Sequence, residues 1–157
     1  LEAAMVMGPA SVQAELFATR VQNPGLDYYG AYAQASYFLT GENRGYDPTL
    51  GVFDRVTPLE NFWIVNTPDG RCVGTGAWEA AIRWSYVDVS DGGGGAPFPG
   101  PFNNAGTENN VTLGLNWYWN PYARMMFNYI HAWDSYVAGP AAKPDLDFFA
   151  IRWQVDF

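Results

Sequence analysis

The stretch NNVTLGLNWYWNPYARMMFNYIHAWD, residues 109–134, decides the fold. In its first half Val111, Leu113, Leu115, Trp117 and Trp119 share one parity, and Thr112, Gly114, Asn116 and Tyr118 share the other. A period of two belongs to a β-strand, whose successive side chains point to opposite faces. Here one face is apolar and the other small or polar, as a sheet between two different solvents requires. At Asn120-Pro121-Tyr122 the pattern stops, because proline presets a turn conformation. It then resumes with Met125, Phe127, Tyr129 and Trp133 against Arg124, Asn128 and Asp134. Two such strands joined by so short a turn are a hairpin.

The same rhythm extends in both directions. Towards the C-terminus, Phe149, Ile151, Trp153, Val155 and Phe157 alternate with Ala150, Arg152, Gln154 and Asp156. Towards the N-terminus, Trp78, Ala80, Ile82, Trp84 and Tyr86 oppose Glu79, Ala81, Arg83 and Ser85. Ala33, Ala35, Tyr37 and Leu39 oppose Tyr32, Gln34 and Ser36, and Val12, Ala14, Leu16 and Ala18 oppose Gln13, Glu15 and Thr19. A further strand ends near Met7, before the turn Gly8-Pro9-Ala10-Ser11. Seven strands result, each about ten to thirteen residues long. That exceeds the five or six residues usual in globular proteins and meets the roughly nine to eleven that a tilted strand needs to cross a bilayer.

Composition agrees. The 157 residues are 48% apolar and 17% aromatic, with 7 Trp, 10 Tyr and 10 Phe, yet mean hydropathy is −0.16. Apolar residues are therefore spread along the chain and interleaved with polar ones. No apolar run is long enough for a membrane-spanning helix, and the first residues do not read as a signal peptide. The net charge of −8 argues against a nucleic-acid partner. A single cysteine, Cys72, excludes an intrachain disulfide and a multi-cysteine metal site. The expected fold class is all-β: a transmembrane antiparallel β-barrel occupying residues 1–157 as part of one domain. Aromatic clusters near strand ends (Tyr28 and Tyr29, Trp117 to Trp119, Tyr122, Trp133, Tyr136) suit the two girdles of such barrels.

Loop lengths give an orientation. Outer-membrane barrels have short periplasmic turns, longer extracellular loops and a periplasmic C-terminus. Counting back from Phe157 places the turns at 120–122 and 8–11 in the periplasm, and the long stretches near 89–108 and 136–144 outside. The segment 41–74 breaks this rule, being long and periplasmic by count; it is expected to fold against the lower rim. Seven is an odd number, whereas single-chain bacterial barrels have even strand counts. Further strands are therefore expected before Leu1, since an open edge has no place in lipid.

Several phrases resemble the phosphate-selective porin O/P family: Gly8-Pro9 to Glu15, YAQASYFLTGENRGY (32–46), GAWEAAIRWSY (76–86) and, most specifically, TLGLNWYWNPYARMMFNYIHA (112–132). The resemblance covers nearly the whole chain and looks like that family's last strands. It implies an outer-membrane homotrimer of sixteen-stranded channels, of which this is the C-terminal part, passing small hydrophilic solutes or anions. The ending Trp153, Val155 and Phe157 resembles the signal read by the barrel-assembly machinery. Candidate pore-lining residues on the polar parity are Glu15, Glu79, Arg83, Asn116, Arg124, Asn128, Arg152 and Gln154. The departure is in charge: Glu2, Glu15, Glu79, Asp134 and Asp156 share that parity with Arg83, Arg124 and Arg152, a balance that does not favour phosphate over other solutes. The arginines are equally readable as cross-strand partners of Glu79, Glu15 or Asp156.

Other constellations are weaker. His131, Asp134 and Ser135 are close in sequence, but on a strand Asp134 points away from the other two, and no nucleophile elbow accompanies them. Asp88 and Asp91 before four glycines lack the ligand spacing of a calcium loop, and the glycines lack the Lys-Ser/Thr sequel of a phosphate cradle. No enzyme activity, cofactor or metal is expected. The expected function is passive diffusion through an outer-membrane porin. A structural barrel without an open pore and a small soluble ligand-binding barrel are the alternatives.

Overall fold

The computed structural model describes residues 1–22, 25–67, 70–90, 106–136 and 145–157, with backbone alone at 65–67 and 134–136. It contains β1 (Glu2–Met7), β2 (Ala10–Val21), β3 (Leu26–Phe38), β4 (Tyr46–Asp47), β5 (Val52–Phe53), β6 (Trp63–Thr67), β7 (Gly70–Gly74), β8 (Ala77–Asp88), β9 (Gly106–Asn120), β10 (Ala123–Tyr136) and β11 (Leu146–Val155). The seven long strands form one antiparallel sheet in the order β1-β2-β3-β8-β9-β10-β11. Every sheet neighbour in this order is also the next long strand in sequence. The sheet is open, with β1 and β11 as its free edges.

Register preserves the alternation across the sheet. On one face, Gln13 pairs with Gln34, Gln34 with Arg83, Arg83 with Thr112 and Thr112 with Ile130. On the other, Val12 pairs with Ala35, Ala35 with Ile82, Ile82 with Leu113, Leu113 with Tyr129 and Tyr129 with Phe149. The polar parity of each strand therefore lies on one continuous surface and the apolar parity on the opposite one. The apolar surface is largely bare: Ile82, Leu113, Ile151 and Trp153 are all exposed. Its aromatics mark two levels. At the turn end Trp78 stacks on Trp117, and Trp119 reaches both Trp117 and Trp153. At the opposite end Trp84 stacks on Tyr86, and His131 lies beside Trp133. From the Trp78–Trp117 pair to the Tyr86–Asn109 pair, β8 advances from residue 78 to 86. Eight steps at ~3.4 Å and a ~40° tilt give about 20 Å of height, close to the ~25 Å apolar band of such barrels.

Turn chemistry sets the register. Asn120 Oδ1 accepts the backbone N–H groups of Tyr122 (2.8 Å) and Ala123 (3.0 Å), closing the β9–β10 turn, and a bulge between Ala123 and Arg124 restores the parity. Gly8 takes φ 58° in the two-residue turn between Met7 and Ala10. Two strand limits differ from the sequence reading. β9 starts at Gly106, so 106–108 belong to the ladder through Thr107–Asp88 and Glu108–Val87 pairing. β10 extends to Tyr136, opposite Gly106. The remainder of those two loops, 91–105 and 137–144, lies outside the described residues.

The segment between β3 and β8 forms two short hairpins, β4–β5 and β6–β7, at the turn end of the sheet. It is bonded to the rim near its start and beyond its middle, where Leu39 N donates to Trp78 O (2.7 Å) and Phe62 N to Trp119 O (2.7 Å), and it is braced internally by Asp54 N donating to Gly45 O (2.9 Å). The return into β8 needs a glycine. Gly76 has φ +69°, and a Cβ there would lie 2.3 Å from the carbonyl oxygen of Tyr118. Gly76→Ala is expected to destabilise the folded barrel by more than the ~1–3 kcal/mol of a positive-φ strain alone. Gly51→Ala, at φ +68° with open space around it, is the matched comparison. Urea titration of both variants in detergent micelles checks this, and equal losses would show that the Tyr118 contact is relieved elsewhere.

Candidate functional site

The polar surface of the sheet is the candidate site, and it is built from cross-strand pairs. Low on the strands, Phe38 lies opposite Glu79, Glu79 opposite Asn116, and Ala77 opposite Tyr118. One level up come Ser36, Ala81, Gly114 and Asn128, then Gln34, Arg83 and Thr112, then Tyr32, Ser85 and Asn110. Direct hydrogen bonds connect the amide and hydroxyl groups: Ser11 with Ser36 (2.8 Å), Gln34 Nε2 to Gln13 Oε1 (2.9 Å) and Gln13 Nε2 to Glu2 Oε1 (2.8 Å). A shallow cavity runs over this surface, bordered by Gln13, Gln34, Arg44, Arg83, Asn116 and Asn128.

Glu79 is the centre of the lower wall. Its side chain is 1% exposed. Oε2 accepts Asn116 Nδ2 (2.9 Å) and the Tyr118 hydroxyl (2.8 Å), and Oε1 accepts Arg44 Nη2 in an ion pair. Arg44 comes from the rim segment, not from a strand of the sheet. Its guanidinium also lies over the rings of Phe38 (5.7 Å) and Phe53 (5.2 Å). Phe38, Val56, Ala77 and Tyr118 make the main apolar core around this pair. A buried carboxylate persists only when paired and hydrogen-bonded, and three partners, Arg44 from the rim segment and Asn116 and Tyr118 from β9, satisfy that condition here.

The sequence-derived candidates fall into distinct situations. Glu15, Glu79, Arg83, Asn116, Arg124, Asn128, Arg152 and Gln154 all lie on the polar surface by register. Glu79 borders the cavity, but its buried carboxylate is engaged by Arg44, Asn116 and Tyr118. Arg83 is exposed; it sits 4.0 Å over the Tyr32 ring and donates from Nε to Ser85 (3.1 Å). Arg124 donates from Nε and Nη2 to Gln154 Oε1 (3.3 and 2.9 Å) and lies 5.8 Å over Tyr118. Of the two readings of these arginines, pairing with Glu79, Glu15 or Asp156 is not seen among the described residues; Arg83 and Arg124 take aromatic, hydroxyl and amide partners instead. Arg152 is exposed, opposite Met126. Glu15 hydrogen-bonds Tyr32.

Sequence reading missed Arg44, Phe53, Arg55 and Val56. They lie in the irregular segment, where no alternation assigns a face. One signal was present: the immediate cross-strand neighbours of Glu79, Phe38 and Asn116, supply no cation to its carboxylate. Arg55 lies 4.7 Å over Tyr122, so it joins Arg44 and Arg124 around the turn-end mouth of the wall, with Asp54 and Asp156 nearby.

The hydrolase reading finds no support in the geometry. His131 is on the apolar surface, opposite Val111 and Asp147. Its Nδ1 is 2.9 Å from Asp147 Oδ1, which also accepts the Tyr129 hydroxyl (2.7 Å). The partner of His131 is thus Asp147, across the strands, while Asp134 pairs in register with Glu108. Among the described residues no group of His, Cys, Asp and Glu is arranged to hold a metal ion. What the wall offers is a wettable surface of amides, hydroxyls and partly neutralised charges. Removing Glu79 leaves a largely buried guanidinium without its counter-ion, and such a loss costs about 3–5 kcal/mol. Glu79→Ala is therefore expected to lower barrel stability by that order, and Glu79→Ala with Arg44→Ala by clearly less than the sum of the single losses. Unfolding free energies in phospholipid vesicles check this; strict additivity would contradict the coupling.

The whole chain, residues 1–157, matches the family described as phosphate-selective porin O and P. It is 32% identical to Porin O of Pseudomonas aeruginosa over 162 residues, an alignment that takes in 100% of this chain and 34% of that protein. An uncharacterized protein of Caulobacter vibrioides is 35% identical over 96 residues, 59% of this chain and 17% of that protein. The chain thus spans about a third of the length of Porin O.

Proposed function

Because the chain belongs to the phosphate-selective porin O and P family, and is therefore an outer-membrane protein of a channel family with no enzymatic activity, we propose that its polar surface is one wall of a water-filled pore. Small hydrophilic solutes and ions cross by diffusion along that wall. The observation that carries the reading is the continuity of register. Gln13, Gln34, Arg83 and Thr112 are neighbours across four strands, and Val12, Ala35, Ile82 and Leu113 across the same four on the reverse side. A sheet with one wettable and one apolar surface fits a boundary between water and hydrocarbon. Further strands complete the cylinder by pairing with the free edges of β1 and β11, whose backbone groups have no water to bind in hydrocarbon.

The charges of the wall favour weak discrimination among solutes. Arg44 is neutralised by Glu79, and Arg124 is held by Gln154. Arg83 and Arg152 are the exposed strand cations of the described wall, set against exposed Glu2, Glu108 and Asp156 and half-buried Glu15. Rings or ladders of one sign of uncompensated charge are what select an ion strongly; this wall interleaves both signs. Phosphate selectivity, if the complete channel has it, comes from other strands. The resemblance further implies a homotrimer and delivery through the C-terminal Trp153, Val155 and Phe157, and we adopt both as part of the proposal.

Arg124→Glu replaces a mouth cation with an anion. In planar bilayers under a salt gradient, the complete porin carrying this change is expected to show a reversal potential displaced towards cations. An unchanged potential would mean that ions do not pass Arg124.

A further inference from the structure

The rim segment crosses from one side of the sheet to the other. Arg44 pairs with Glu79 on the polar side. Phe62, further along, packs on the apolar side, with ring centroids 4.7 Å from Trp117 and 5.8 Å from Trp119. Its N–H donates to Trp119 O (2.7 Å), where β8 has already ended and β9 would otherwise lack a neighbour. Trp63 follows at φ 82° and turns the chain into the β6–β7 hairpin. The return end is fixed to the same place, for Trp117 Nε1 donates to Thr75 O (2.9 Å). Both stems of the hairpin are therefore tied to the outward tryptophans at the turn end of the barrel.

The described base of the hairpin exposes apolar side chains. Trp63, Ile64 and Val73 are 65%, 57% and 72% exposed, and Leu59 just before it is 74% exposed. Ile64 pairs with Val73, and Trp63 pairs with Gly74 one step away. Alternate residues point to opposite faces, so the ribbon has apolar side chains on both. Among the described side chains the face of Ile64 and Val73 also carries exposed Arg71. The surface it continues, through Phe62, Trp117, Trp119, Trp78 and Trp153, is the apolar face of the barrel. Aromatic rings on such a face sit at the headgroup level, and the Arg71 stem can extend towards phosphate while its chain stays in the apolar layer.

We propose that the β6–β7 hairpin is an interfacial lipid anchor: a two-stranded ribbon lying in the phospholipid headgroup and upper acyl region beside the barrel's turn end, widening the aromatic girdle. With the short turns periplasmic, the layer it enters is the inner leaflet of the outer membrane. The inference rests on the reading that the apolar surface meets lipid, and adds that the hairpin belongs to the same phase.

Cys72, exposed on β7 opposite Val65, allows a direct test with the native residue. A bimane fluorophore is attached to Cys72 in the complete porin, any cysteine outside this chain being replaced, and the protein is reconstituted into phosphatidylethanolamine–phosphatidylglycerol vesicles. Phospholipids brominated near the headgroup are expected to quench most of the emission, and aqueous iodide little of it. Leu113→Cys in a Cys72→Ser background reports the mid-barrel apolar face independently. If bromolipids quench the probe at residue 113 but iodide alone quenches it at Cys72, the hairpin stands in water and the proposal fails while the barrel reading survives. If neither quencher reaches Cys72 and thiol cross-linking joins two copies through it, the hairpin is a protein interface and the proposal likewise fails. Iodide quenching at residue 113 would remove the barrel reading itself.

Discussion

A backbone in hydrocarbon has no water to satisfy its N–H and C=O groups, so each must find a partner in the protein. This constraint shapes nearly everything seen here. It explains why the long strands reach up to fifteen residues and why consecutive ones pair side by side. Once the backbone is committed to a ladder, side chains are left to serve two solvents, and strand geometry forces them to alternate. The wettable surface and the greasy one are then the two consequences of a single arrangement.

The rim segment meets the same constraint where the ladder runs out. β8 ends at Ala77, yet β9 continues to Asn120. The N–H of Phe62 takes the carbonyl of Trp119 in place of a strand. On the polar side the segment delivers Arg44 to Glu79, turning a carboxylate that no neighbouring strand could balance into the centre of a small core with Phe38, Tyr118 and Val56. Gly76 allows the chain to re-enter the sheet against the Tyr118 carbonyl. Stability at this end of the molecule thus depends on packing and charge pairing, whereas in the middle of the sheet it depends on the ladder and on the surrounding phases.

How far the sequence announced this structure follows from what repeats. Alternation is a strong signal over ten or more residues, so the six strands of that length and their faces were legible, as was the hairpin at residue 120, while the six-residue β1 was marked by the turn that follows Met7. The limits at Gly106 and Tyr136 were not, because glycine, threonine and asparagine near a Gly-rich loop look alike whether paired or free; pairing with Asp88 and Val87 decides them. The 41–74 segment carries no period, so nothing in it assigned Arg44 to one side and Phe62 to the other. His131 shows a different gap: its partner Asp147 is sixteen residues away along the chain, visible only once β10 and β11 are in register. The family resemblance was legible because NWYWNP and its flanking strands form a specific phrase, but it says nothing of which charges remain free after folding.

Those free charges set the character of the wall. Amides and hydroxyls dominate its middle, and its strongest ion pair is buried. What remains exposed is a mixture of both signs. The account stands or falls on which parity meets water. The most direct measurement is a cysteine scan of residues 111–117 in β9, read with a membrane-impermeant thiol reagent in intact outer membranes. The account expects reaction at residues 112, 114 and 116 and protection at 111, 113, 115 and 117. Reaction at the odd positions with protection of the even ones, or no alternation at all, would contradict it.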